Sequence, residues 1–265
     1  MTEQINETVT RVAVFGGASG GAPSREGLRQ FNKEWEAKGK DWDRMDVDSI
    51  DALDAMWLAA DIGRVLAEND WQLVTGGYDM GTMGMVSRSA AIFGEKRRSG
   101  KKPVGIPLTE YFPRDPHTTG DLLSAKDLPD RLSKLTNAEA FIVLRGAHGT
   151  LNELTTVMEE EDLRDDATKE GNKTFKPRPV IVADPSGRME GLLSYIFGVY
   201  TPSFYKRVDE NIIDRVYILG KECFLIERKH PLSATVKLTQ QGTNEILSIL
   251  KGVRSSSRTI RDIIK

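Results

Sequence analysis

The sequence is most informative at first through what it lacks. A single cysteine, Cys223, among 265 residues excludes an intrachain disulfide. With three histidines beside it, a structural zinc site of the Cys/His type is not expected, and neither is any other metal. Neither sign of charge dominates: 37 Lys and Arg against 39 Asp and Glu leave a formal net charge of −2. Such a balance gives no basic surface for nucleic acid or for an anionic membrane. No stretch approaches the ~18 consecutive apolar residues of a membrane span, and the first residues, MTEQINETVTRVAVF, lack the apolar core of a signal peptide. Tandem repeats, low-complexity segments and a Ser-His-Asp arrangement are also missing, and the G-x-G-x-x-G spacing is not met at 16–21. The expectation is a soluble, cytoplasmic protein long enough to bury a sizeable core.

What is present is a series of short apolar runs alternating with helical patterns. Arg11–Phe15, Trp71–Thr75, Pro103–Ile106, Ala140–Leu144, Pro179–Ala183 and Arg215–Leu219 read as strands, the clearest of them apolar throughout, as strands covered on both faces are. Helical periodicity covers 51–69, with Leu53, Met56, Trp57, Ala60, Ile62, Val65 and Leu66 on one broad face, and shorter helices are expected at 128–136, 189–197 and 243–250. Ser24 is a candidate N-cap for a helix opening at Arg25. The alternation predicts an α/β fold, an open parallel sheet with helices on both faces. A disordered N-terminus over 1–10 would precede one domain at 11–228, and a C-terminal extension would occupy 229–265. Within the domain, the charged stretch 33–53 reads as an exposed insertion, 107–123 as a proline-bearing loop at the mouth of the site, and 162–178, almost without apolar residues, as a mobile surface loop.

In such a sheet ligands bind beyond the carboxyl ends of the strands, and three of the turns expected there are rich in glycine. They are 16–23, with Gly17 and Ser19; 76–84, with Gly76, Gly77 and Gly81; and the turn after Leu144, Arg145-Gly146-Ala147-His148-Gly149-Thr150. The last joins a buried strand directly to a helix with apolar spacing through Leu151, Leu154 and Val157. A helix N-terminus facing a cleft presents unpaired backbone N–H groups and attracts anions, phosphate above all. Glu153 then lies one turn inside the helix. Two readings of it stand: the second half of a T-x-x-E capping box with Thr150, or a carboxylate facing a bound nucleotide. His148 can stack on a base or cap the loop, and Asp79 can form the turn or face a ribose. Cys223 reads as a small core residue.

These residues resemble the signature segments of the LOG family, once described as lysine decarboxylase-like. Arg145-Gly-Ala-His-Gly-Thr-Leu-Asn-Glu153 is similar to the family's P-G-G-x-G-T-x-x-E. VFGGASGG at 14–21, LVTGGYDMGTMGMV at 73–86 and RLSKLTNAEAF at 131–141 resemble three further segments in the family's order, and the likeness runs from about residue 11 to 200. The resemblance implies a Rossmann-like fold, a homodimer, and a nucleoside 5′-monophosphate phosphoribohydrolase that releases a free base, of cytokinin type or another purine, and ribose 5-phosphate. It implies Glu153 and Arg131 as the catalytic pair, phosphate or ribose contacts from the three glycine-rich turns, and no metal or redox cofactor. The chain departs from the pattern at Arg145 (family proline), Ala147 (family glycine) and Asn152 (often a glutamate), and Arg131 stands one residue closer to Phe141 than the pattern has it. Arg145 would add charge beside the phosphate. A changed turn also admits an alternative, a non-catalytic carrier of nucleotide or molybdenum cofactor on the same fold.

Overall fold

The structure, a computed structural model, describes residues 10–17, 25–97, 101–108, 120–171, 173–200, 214–227, 235–253 and 255–263. Ser19, Ser24 and most of the proline-bearing loop, 109–119, lie outside them. Eight strands form one sheet in the order β10-β7-β6-β5-β1-β2-β3-β4. These are β1 (Arg11–Phe15), β2 (Gln72–Thr75), β3 (Val104–Gly105), β4 (Asp121–Leu122), β5 (Ala140–Val143), β6 (Val180–Val182), β7 (Val216–Ile218) and β10 (Arg258–Thr259). All neighbours pair in parallel except β10 with β7. The fold is a Rossmann-like α/β sheet with helices on both faces.

The apolar runs become the central strands because each residue has somewhere dry to point. Val12, Val14, Leu73, Ala140, Ile142 and Ile181 face one core, packed under α2 (Val47–Glu68), α3 (Gly81–Arg97) and α7 (Gln240–Leu250). Their neighbours Ala13, Phe15, Val74, Phe141, Val143, Val180 and Val182 face the other, under α4 (Leu128–Thr136), α5 (His148–Lys169), α6 (Arg188–Tyr200) and α8 (Ile260–Ile263). The period-2 geometry of a strand thus divides one apolar run between two cores. No helix among the described residues is long and apolar enough to cross a membrane.

The chain lays down β1 to β4 outward on one side, then returns to place β5 against the free edge of β1 and builds the other side. The direction therefore reverses between β1 and β5, and the crevice beyond their carboxyl ends is where the fold offers a ligand site.

Three expectations need correction. The stretch 33–53 is not an exposed excursion: α1 (Arg25–Ala37) carries Phe31 and Trp35 into a small core with Met45, Ile50 and Leu53, and Trp42 packs on both Phe31 and Trp35. Its charges lie on outer faces, which masks the apolar spacing beneath. The stretch 162–178 is a loop only in its second part, because α5 runs unbroken to Lys169. Its charged residues form ion pairs, Glu161–Arg164 at 3.2 Å and Arg215–Asp165 at 2.9 Å among them, that serve in place of an apolar face. The stretch beyond 228 is built into the structure: β9 (Thr235–Leu238) pairs with β8 (Phe224–Glu227), α7 enters the first core, and β10 joins the sheet.

Candidate active site

The third glycine-rich turn forms the floor of the crevice. β5 ends at Val143, and the backbone stays extended at Ala147, the N-cap of α5, where no side chain caps the helix. A helix begun this way leaves its first N–H groups without an intrahelical partner. Helix α5 starts at His148 rather than Thr150, which puts the Thr150 side chain in the first turn, 3% exposed, with a buried hydroxyl that has no hydrogen-bond partner among the described residues. A Cβ on Gly146 would collide with that hydroxyl and stand 3.0 Å from the Gly17 nitrogen. Only glycine lets β1's turn, β5's turn and the helix approach so closely. Gly17 ties the turns together: its N–H donates to the Arg145 carbonyl (3.3 Å), and its own carbonyl accepts from the Thr82 N–H (3.1 Å) and hydroxyl (3.0 Å).

One turn further along α5, Glu153 is buried (6% exposed) and faces Arg131 on α4, with Nη1 to Oε1 at 3.1 Å. The arginine is itself held, its Nε donating to the Ile106 carbonyl (3.1 Å) beyond β3. Its other terminal nitrogen lies over Gly76, where any Cβ would collide with it and stand 2.6 Å from the Met83 sulfur. Gly76 therefore makes room for the arginine. Burial pushes the Glu153 carboxyl up to about 7, against the opposing pull of Arg131. A carboxylate so placed changes protonation close to neutral pH, a property suited to moving a proton.

This geometry excludes the capping-box reading of Thr150 and Glu153. A capping box needs Thr150 at the N-cap; here Ala147 has that position, and the carboxylate pairs with Arg131. The short spacing before Phe141 does not carry Arg131 away from Glu153. Of the other expected residues, Gly77 (φ 82°) turns the chain under Ile106 and Pro107, and Gly81 (φ 55°) opens α3. His148 and Gly149 are exposed at the start of α5, and a Cβ on Gly149 would meet nothing within 4 Å. Asp79 pairs with Arg88 at 2.8 Å.

Arg145 is placed differently from the expectation. It reaches away from the helix N-terminus to the start of α2, bonding the Asp48 carbonyl and carboxylate (3.0 Å each) and approaching Asp51 (3.5 Å). Arg188 joins the same two carboxylates from the start of α6, with Asp51 at 3.1 Å. The four side chains close one side of the crevice by linking α2, β5's turn and α6. Asp48, Asp51 and Arg188 were not singled out from the sequence, and neither was the Ile106 carbonyl that positions Arg131. The available signal was Asp46-x-x-Ser49, a helix-start pattern whose aspartate does accept from the Ser49 N–H at 2.9 Å.

Comparison with known proteins finds relatives in sequence. Residues 48–163 match the model of the SLOG cluster4 family. The chain is 30% identical over 145 residues to the cytokinin riboside 5′-monophosphate phosphoribohydrolase of Mycobacterium tuberculosis, covering 54% of this chain and 69% of that protein. It is 28% identical over 158 residues to an Arabidopsis thaliana protein of the same name, covering 58% and 66%. Among solved structures, the molybdenum cofactor binding protein from Rippkaea orientalis aligns at a TM-score of 0.46 and 13% identity over 81% of this chain and 91% of that one. The signature segments and the sequence relatives converge: the chain belongs to the LOG family, as a divergent member.

Proposed function

We propose that this protein is a nucleoside 5′-monophosphate phosphoribohydrolase acting on a purine-type nucleotide such as a cytokinin riboside monophosphate. One observation carries the reading: a buried carboxylate–guanidinium pair, Glu153 with Arg131, lies one turn inside a helix whose N-terminus is uncapped and whose Thr150 hydroxyl is unpaired. The two features are three residues apart on one helix, about 4.5 Å along its axis. That is a suitable offset for a 5′-phosphate on the helix N-terminus and a ribose C1′ toward the carboxylate. The names of the sequence relatives support the same substrate class.

The chemistry follows from the groups in place. The backbone N–H groups of His148, Gly149 and Thr150, with the Thr150 hydroxyl, hold the phosphate. The bond from C1′ to the base nitrogen lengthens and the ribose takes on oxocarbenium character, as in glycoside cleavage. The Glu153 carboxylate stabilises that positive charge and accepts a proton from the attacking water as its oxygen bonds to C1′. The base leaves with the electron pair of the broken bond and gains one proton, so water is divided between ribose 5-phosphate and base. Arg131 keeps the carboxylate oriented and favours its ionised form.

Incubation of the pure protein with AMP, GMP, CMP, UMP and a cytokinin riboside monophosphate, followed by chromatography for free base, tests this directly. Base release from at least one purine nucleotide is expected. Retention of intact nucleotide with no base released from any of them would overturn hydrolysis and leave a carrier.

A further inference from the structure

At the opposite end of the sheet, beneath the amino ends of β1, β5 and β6, lies a cavity of about 710 Å³. That is the size of a small-ligand pocket. Its wall carries Arg11, Arg164, Lys176, Arg178 and Lys251, with Glu139 as the sole carboxylate among the lining residues. Glu139 is already engaged: burial pushes its carboxyl up, but bonds from the Thr10 and Arg11 N–H groups bring it below the usual range. Arg178 is engaged too, by Glu161 (2.5 Å) and Glu160 (3.0 Å).

Two cations are engaged less fully. The Arg11 charge acts on Glu139, but its buried Nε has no hydrogen-bond partner among the described residues, and the exposed Lys251 forms no ion pair among them. A buried guanidinium nitrogen without an acceptor is costly unless something supplies one. Burial first, and the Arg178 charge next, push the Arg164 guanidinium down, against the opposing pull of Glu161 and Glu160. The remaining wall holds Asn137 beside apolar residues that include Pro179, Ile249 and Val253.

From these features we infer that the cavity binds a small organic phosphate, its phosphate between Arg11 and Lys251 and an apolar body against Pro179 and Ile249. The ligand is not the nucleotide undergoing cleavage, since the crevice holding Glu153 lies beyond the carboxyl ends of the strands. Helix α5 spans both places: Glu153 lies near its first turns, and Arg164, eleven residues on, lies about 16 Å farther along the axis. The inference stands independently of the proposed hydrolysis.

Calorimetric titration of the full-length protein with 1-naphthyl phosphate, inorganic phosphate and AMP tests it. The expected result is tighter binding of 1-naphthyl phosphate than of inorganic phosphate, at a site that saturating AMP does not block. In the Arg11→Gln/Lys251→Gln double variant its affinity should fall by about 10- to 100-fold, the usual effect of losing bonds to a charged group, with AMP binding unchanged. Three results would each overturn the inference: no binding of 1-naphthyl phosphate to the wild-type protein, displacement of it by AMP, or equal affinity in the double variant.

Discussion

Two arginine–glutamate pairs are buried against α5, and they are built differently. Toward its C-terminal end, Glu161 accepts the Arg178 N–H (3.0 Å) and Nε (2.5 Å) and also faces Arg164 (3.2 Å) and Arg215 (3.5 Å). Arg178 spends its other nitrogens on Glu160 and on the Thr136 carbonyl (2.5 Å), with its guanidinium over the Phe141 ring. Every side of that pair is satisfied, as buried ionic groups must be if they are to hold a fold together. Toward the N-terminal end, Glu153 has one ionic partner, and burial holds its carboxyl at about 7. An under-satisfied carboxylate is a poor structural element and a useful chemical one. On the proposed function the two ends of one helix separate holding from reacting, and substitution should separate them too.

The largest effect should come from Glu153→Gln, which keeps the shape and removes the titrating group. Turnover should fall by about 10²- to 10⁴-fold, the usual range for a lost general base, while nucleotide binding persists. The wild-type kcat/KM should rise with pH through about 7 and then level, and the variant should lose that limb. Stability supplies a second check. The folded-state pKa lies above the ordinary value of 4.5, so between about 4.5 and 7 the folded protein keeps a proton the unfolded chain has released. Stability from this group therefore falls as pH rises across that window, and the glutamine variant should escape the slope in denaturant titrations.

Arg178→Met should behave in the opposite manner. Chemical denaturation should show a loss of roughly 3–5 kcal/mol, as for other broken buried pairs, with kcat of the remaining folded protein close to wild type. A large kcat defect with little loss of stability would erase the contrast between the two pairs.

Thr150→Val sharpens the comparison at the helix start. The buried hydroxyl has no partner among the described residues, so its removal should leave stability unchanged or raise it by up to ~1 kcal/mol. The KM for nucleotide should rise about tenfold through the lost bond to phosphate. Smallest of all should be Arg145→Ala. Its partner Asp48 is 69% exposed and contributes little, and the less exposed Asp51 lies farther off at 3.5 Å, so the thermal unfolding temperature should fall only slightly while KM changes little.

Much of this was legible in the sequence, for reasons that differ by residue. Strands β1, β5 and β6 were readable because burial on both faces demands apolar residues throughout, and α4 because Leu128–Thr136 lies in a compact amphipathic pattern. Strand β3 was readable as the apolar run Pro103–Ile106, whereas β4 is two exposed residues with no periodicity to detect, and β10 gains its identity only by pairing with β7. The second half of α5 reads as a loop because ion pairs replace the apolar stripe that normally marks a helix. At the site, Glu153 and Arg131 were readable through their motif segments. The placement of Arg145 was not, since the carboxylates that draw it aside lie about a hundred residues earlier in the chain. A backbone acceptor such as Ile106 leaves no trace in sequence at all.

The sheet ends in two-residue strands, β4 on one side and β10 on the other. An edge that short offers few unpaired backbone groups for another chain to copy, a common defence against strand-by-strand aggregation. On the β10 side the guard is supplied by residues distant from the crevice that holds Glu153, with Arg258 clasping Glu190 at 2.7 Å and Arg261 clasping Asp214 at 2.6 Å. Loss of that last strand would bare β7 (Val216–Ile218), and the first symptom would be insolubility rather than inactivity.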